Sequence, residues 1–177
     1  MIIYITKRVT GDDCMDIRIS GIIKESVVDG PGIRYVIFAQ GCLHKCIGCH
    51  NPHTHDFKGG YDIDVDDLKN DIIRNPFIDG VTFSGGDPFY QVEGFYYLAK
   101  ELKKNNIHIV CYTGFFYEDI VKNNDKKKLL ENVDLLIDGP FILSQKTLKL
   151  PFRGSSNQRI IDVKRSLMEG EVITVEY

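Results

Sequence analysis

Three of the chain's five cysteines, Cys42, Cys46 and Cys49, fall within eight residues in a C-x3-C-x2-C spacing, directly after the apolar run Tyr35-Val36-Ile37-Phe38-Ala39. A short apolar run with turn residues behind it reads as a buried strand. The three thiols therefore ride on one tight loop at a strand end, where they make a metal site one ligand short of closure. A four-iron cluster normally takes four thiolates, so three leave one iron open to an outside ligand, whereas zinc would recruit a fourth protein group to complete a tetrahedron. His44, His50, His53 and His55 are close enough in the chain to be that group, and the spacing alone leaves both metals standing.

The fold does not need the metal. A chain of 177 residues can bury ~70% of its unfolded surface in one core, so a metal here is expected to be functional. Residues 1–177 read as a single domain with its core at about 17–165, and no linker, repeat or low-complexity tract divides them. A net charge of −3 and a pI near 5.9 argue against nucleic acid as a partner, since backbone-phosphate binders carry a basic excess. The first eight residues show no cleavage-site pattern and the longest uncharged run, 105–117, is too short to span a bilayer, so a cytoplasmic protein without membrane attachment is expected. In that reducing setting clustered cysteines are metal ligands, and the isolated Cys14 and Cys111 are free thiols.

Along the chain, Ile2, Ile3 and Ile5 suggest a short strand and Gly11-Asp12-Asp13 a turn; 17–23 alternates as a half-buried strand. Gly30-Pro31-Gly32 is a fixed turn that sets Asp29 and Arg34 beside the strand feeding the cysteine loop. The spacing then predicts a helix over 65–74 with Asp64 as N-cap, a strand over 80–83 running into Ser84-Gly85-Gly86-Asp87-Pro88, and a helix over 89–105. Strand 107–112 ending at Thr113-Gly114, helix 117–131, strand 133–137 ending at Asp138-Gly139-Pro140, and strands at 160–161 and 171–177 complete the pattern. Strands alternating with helices predict an α/β chain with a mostly parallel sheet wound as an open, partial β/α barrel. Ligand sites of such sheets collect at the carboxyl ends of the strands. Cys42 to Cys49, Ser84 to Asp87, Tyr112, Thr113 and Asp138 are accordingly placed on one rim, and mid-strand His108 is read as structural. The segment 144–165 carries Lys146, Lys149, Arg153, Arg159, Lys164 and Arg165 against the single acid Asp162. Within it the donor-dense run from Arg153 to Arg159 is read as binding an anion or a partner.

Taken together these motifs resemble the radical S-adenosylmethionine enzymes and, among them, the small activases of glycyl-radical enzymes. The C-x3-C-x2-C loop resembles the superfamily's cluster loop, and Ser84-Gly85-Gly86-Asp87-Pro88 is similar to its Gly-Gly-Glu element with aspartate in place of glutamate. Ser26 to Arg34, of the form D-G-P-G-x-R, resembles the activases' opening motif. Arg153-Gly154-Ser155-Ser156-Asn157-Gln158-Arg159 is similar to the R-G-S-x-N-Q-R segment of the branch that activates the anaerobic ribonucleoside-triphosphate reductase. The resemblance implies a 4Fe-4S cluster on Cys42, Cys46 and Cys49, with the fourth iron chelated by the amino and carboxylate groups of S-adenosylmethionine. It implies that Gly85 and Gly86 hold the methionine amino group with Ser84 and Asp87 beside them, that Gly48, Cys49 and His50 line the adenosyl side, and that Tyr112, Asp138 and Arg153 belong to the same cofactor-binding set. The implied reaction produces a 5′-deoxyadenosyl radical that takes a hydrogen atom from a glycine of the partner, here the reductase, with electrons from a flavodoxin- or ferredoxin-like donor. Gly48 stands where many relatives carry a bulky residue against the adenine, and Tyr112 where some carry aspartate. The alternatives are an activase of another glycyl-radical enzyme, a small-molecule enzyme of the deazaguanine synthase type, and, from a different class, a zinc-binding interaction module.

Overall fold

The computed structural model describes residues 15–177, so the strand expected at Ile2 to Ile5, the turn at Gly11 to Asp13 and the thiol of Cys14 lie outside the described residues. Seven strands form one open sheet: β1 (Asp16–Ser26), β2 (Arg34–Ala39), β3 (Tyr61–Asp64), β4 (Gly80–Gly85), β5 (His108–Tyr112), β6 (Leu135–Asp138) and β7 (Arg159–Asp162), in the order β3-β1-β2-β4-β5-β6-β7. The centre, β2-β4-β5-β6, is parallel, and both margins are antiparallel. Parallel neighbours need crossovers: α1 (Val65–Arg74) joins the β3 side to β4, α2 (Val92–Lys104) leads to β5, and α3 (Tyr117–Ile120) with α4 (Asn124–Leu130) leads to β6. Among the described residues no helix is long and apolar enough to cross a membrane.

Period-two alternation gives the sheet two different faces. Tyr35, Ile37, Val81, Phe83, Ile109 and Leu136 point to the side covered by the helices, where Leu68, Phe95, Leu98 and Leu129 complete the core. Among the described residues the other face has no helical layer: Val110, Leu135, Ile137 and Ile160 are covered by Phe152, Val175 and Tyr112. The turn after β1 also folds onto it, with the Thr82 hydroxyl donating to the Asp29 carbonyl (2.8 Å). Register stacks this inner face in rows, Arg34 beside Gly80 and His108, Val36 beside Thr82 and Val110, and Phe38 beside Ser84.

Three expectations change in detail. The helix foreseen over 117–131 is two short helices, because the Asn123 side chain accepts from the amides of Asp125 and Lys126 (3.1 and 3.0 Å) and starts α4 afresh. Residues 171–177 are not a full edge strand: the Ile161–Thr174 bridge and the bond from the Val175 amide to the Ile160 carbonyl hold them along β7, and the chain then turns to Phe152 and Arg153. An unforeseen helix, α5 (Val163–Glu169), follows β7, N-capped by the Asp162 carboxylate (3.0 Å to the Arg165 amide) and closed by left-handed Gly170.

Candidate cluster and cofactor site

At the carboxyl ends of the parallel strands lies a cavity of about 600 Å³. The loop after β2 brings Cys42, Cys46, Cys49 and His50 to it, the β4 tip brings Ser84, Gly85 and Gly86, and the β5 tip brings Tyr112 and Thr113. Val28 and Asp29 from the turn after β1 and Phe152, Arg153, Gly154 and Gln158 from the last loop also line it.

The cysteine loop leaves β2 by backbone bonds from Gly41 to the Thr54 carbonyl (2.7 Å) and from Cys42 to the His55 carbonyl (3.2 Å). Cys42 is buried, Cys46 and Cys49 are half-buried, and none is in a disulfide. Burial pushes the Cys42 thiol up to about 11, so without metal it is protonated at neutral pH and metal uptake there must release a proton. Of the four histidines weighed for zinc, His44 has its Nε2 2.9 Å from Asp87 Oδ2, the His50 ring packs on Phe141 with centroids 4.9 Å apart, and His55 lines the cavity. Among the described residues no three or more His, Cys, Asp or Glu side chains converge on a single metal-ion position.

The glycines of the β4 tip are required by space. A Cβ on Gly85, at φ +93°, would lie 2.6 Å from the Ala39 nitrogen, and one on Gly86 would lie 2.5 Å from the Gly41 carbonyl oxygen. The two strand tips thus touch backbone to backbone, fixing the thiol loop beside β4. The Gly86 amide is spent on the Ala39 carbonyl (2.7 Å), so toward a ligand this tip can offer carbonyl oxygens, the polarity an amino group requires. Gly48 has a different neighbour: a Cβ there would come within 2.9 Å of Leu143 Cδ1. Leu143, from the return after β6, fills space beside the third cysteine that a larger residue at 48 would otherwise take.

Three predicted site residues are placed differently from the rest. Asp138 is fully buried, does not line the cavity, and is held by the Arg159 guanidinium and the Tyr117 amide (2.9 Å). Antiparallel register sets Asp138 opposite Arg159, which makes them partners before any ligand arrives. Asp87 lies beneath the cavity wall with its oxygens occupied by protein donors. Arg153 does line the cavity, with its side chain only 7% exposed; Glu176 takes both terminal nitrogens, while Nε is buried and has no partner among the described residues. The remaining donors of that loop are largely satisfied within it: Gln158 accepts from the Gly154 amide (2.9 Å) and donates to the Gly139 carbonyl (3.1 Å), and Asn157 donates to the Pro140 carbonyl (2.8 Å). Phe141 and Leu143 carry no motif, and only the chain's return past the cavity reveals them.

The chain resembles several known proteins. Residues 28–161 match the family model described as a 4Fe-4S single cluster domain. The chain is 36% identical over 151 residues to the pyruvate formate-lyase-activating enzyme of Staphylococcus epidermidis and 35% identical to that of Staphylococcus aureus, in each case over 80% of this chain and 59% of the relative. The chain thus spans about three fifths of the length of these curated relatives. Among solved structures, QueE from Escherichia coli matches with a TM-score of 0.45 and 20% identity over 56% of this chain and 52% of that one.

Proposed function

The chain belongs to the 4Fe-4S single cluster domain family, and on that premise we propose that it is a radical S-adenosylmethionine activase of glycyl-radical enzymes and that it installs a glycyl radical on the anaerobic ribonucleoside-triphosphate reductase. One observation carries the activase reading: three cysteines, the glycine tip of β4 and the largely buried Arg153 all line one cavity. Those residues fit a cluster with one open iron and a ligand bearing both an amino and a carboxylate group. When bound, the cluster and S-adenosylmethionine supply the one-electron chemistry that removes a hydrogen atom from a partner glycine.

The chain's own residues hold and orient. Cys42, Cys46 and Cys49 would anchor three irons; the carbonyls of the Ser84 to Gly86 tip would receive the methionine amino group; Arg153, which lines the cavity with its fork on Glu176, would supply the positive charge beside the carboxylate. Cys49, His50 and Tyr112 flank the adenosyl portion, and the inner face beneath, filled by Val110, Leu135 and Ile137, keeps water from the floor. A glycine suits such a cavity as target because it carries no Cβ.

Support for the reductase as partner comes from the Arg153 to Arg159 segment, whose Arg153, Gly154 and Gln158 line the cavity. The names of the two relatives favour a second partner, a pyruvate formate-lyase. Anaerobic incubation of reconstituted protein with S-adenosylmethionine, a flavodoxin and each partner in turn separates them by electron paramagnetic resonance. A glycyl doublet on the reductase is expected; a doublet only on the lyase transfers the activity to that partner, and none on either with an intact cluster removes the activase reading.

A further inference from the structure

The acid of the second motif is buried among protein donors. Asp87 is 1% exposed; its Oδ1 accepts from the Phe89 amide (2.9 Å), while Oδ2 accepts from the Thr113 hydroxyl (2.8 Å), the Gly114 amide (3.0 Å) and His44 Nε2 (2.9 Å). Three donors crowd Oδ2 and one meets Oδ1, and the carboxylate is not among the groups that line the cavity. It is turned to protein donors and shut off from a ligand's amino group.

His44 stands between two cluster ligands. Its ring lies edge-on to Phe115 (centroids 4.6 Å apart) and near Tyr90 (5.6 Å). It also lies so close over Gly114 that a Cβ there would come within 2.6 Å of it. The next residue, Lys45, has φ +47°, a conformation that side chains other than glycine rarely adopt and that a neighbouring anchor must hold. The Asp87 amide in turn donates to the Gly41 carbonyl (3.0 Å). One carboxylate thereby ties together the cysteine loop after β2, the β4 tip and the β5 tip.

We propose that Asp87 and His44 form a brace that fixes the cluster loop to the strand tips, and that Asp87 is a positioning residue that does not contact S-adenosylmethionine. The brace takes the nature of the cluster from the activase reading and is independent of which partner is activated. Without it, the segment carrying Cys46 would open more often and expose the cluster.

The test needs no partner enzyme. Anaerobically reconstituted wild type, His44→Phe, Asp87→Asn and the double variant are compared for the rate at which a ferrous chelator strips iron. Their affinity for S-adenosylmethionine is read from the change it causes in the reduced cluster's paramagnetic resonance. His44→Phe keeps a ring between Phe115 and Tyr90 but cannot bond to Asp87. Each single variant is expected to lose iron roughly tenfold faster, the equilibrium worth of one charge-assisted hydrogen bond. The double variant should lose it no faster than Asp87→Asn alone, and affinity on the surviving cluster should change by less than about threefold. The proposal is overturned if Asp87→Asn weakens S-adenosylmethionine binding about tenfold or more while iron loss stays at the wild-type rate, or if the two single effects add. Should Asp87→Asn fail to fold by circular dichroism, His44→Phe decides alone: faster iron loss with unchanged affinity supports the brace, and wild-type iron loss sinks it. A wild type that takes up no iron overturns the activase reading and the brace together, whereas a wild type that binds both groups beside an unaffected His44→Phe overturns the brace only.

Discussion

Two arginines are shut away from water near opposite ends of the parallel strands, and only one has all its partners. At the amino end, Arg34 is 1% exposed and its guanidinium donates to the Thr82 hydroxyl (3.1 Å), the carbonyls of Val81 (2.5 Å), His108 (3.1 Å) and Pro31 (3.4 Å), and His108 Nδ1 (3.3 Å). Among the described residues no carboxylate pairs with it directly, and burial draws its pKa down to about 10, with Asp79 and Asp134 opposing from a distance. Burial also lowers the pKa of His108, which keeps the ring neutral and able to accept. At the carboxyl end, Arg153 has a carboxylate but lacks a partner for Nε. A buried donor with every partner in place is architecture; a buried donor without one, on a side chain that lines the cavity, calls for another explanation. Arg34 therefore reads as the pin of the D-G-P-G-x-R turn, and Arg153 as part of the site.

The contrast is broken most severely at the thiols. Cys46→Ser should abolish the cluster, seen as iron content near zero after reconstitution, while the metal-free chain keeps a cooperative thermal transition because its core lies across the sheet. Loss of cooperativity would make the metal structural. Arg34→Ala should cost about 3–5 kcal/mol in urea unfolding of the metal-free protein, from the space left and from orphaned carbonyls. If it instead spared stability and removed S-adenosylmethionine binding, the two ends would have been assigned the wrong way round. Arg153→Ala should leave stability within about 1 kcal/mol and weaken S-adenosylmethionine roughly tenfold or more, measured by titration of the reconstituted protein; unchanged affinity would remove Arg153 from the site. Freeing the same fork by Glu176→Gln should tighten that binding by less than about threefold, since an exposed ion pair competes weakly.

The smallest effect concerns a third arginine, Arg159, saturated by acids. Its guanidinium holds the Glu118 carboxyl down to about 2. A carboxyl held low in the folded state stabilises above its unfolded pKa of about 4.3 and loses that contribution as pH falls from there toward 2. Glu118 is 48% exposed, so solvent screening limits the contribution to below about 1 kcal/mol. Glu118→Gln should flatten the stability profile between about pH 5 and 2 by that amount; an unaltered profile would show the pair to be idle.

Local signals were read well where the physics is local. The N-cap at Asp64, the strand running into Gly85 and Gly86, and the cysteine loop after β2 all stand where periodicity and turn chemistry put them. The break at Asn123 and the helix between Asp162 and Gly170 are legible as well, since asparagine and aspartate cap helices and glycine ends them.

What the sequence by itself determined is the succession of strands and helices, the side of the sheet that carries chemistry, and a metal loop short of one ligand, because periodicity and ligand spacing act over a few residues. Only the tertiary structure decided which polar groups remain free. Asp87 meets Thr113 from 26 positions away and Arg34 meets His108 from 74, Asp138 is enclosed by a strand that returns antiparallel, and Leu143 fills the space beside Gly48. Whether a buried donor or acceptor is satisfied depends on chain brought in from far along the sequence, and no local pattern records that.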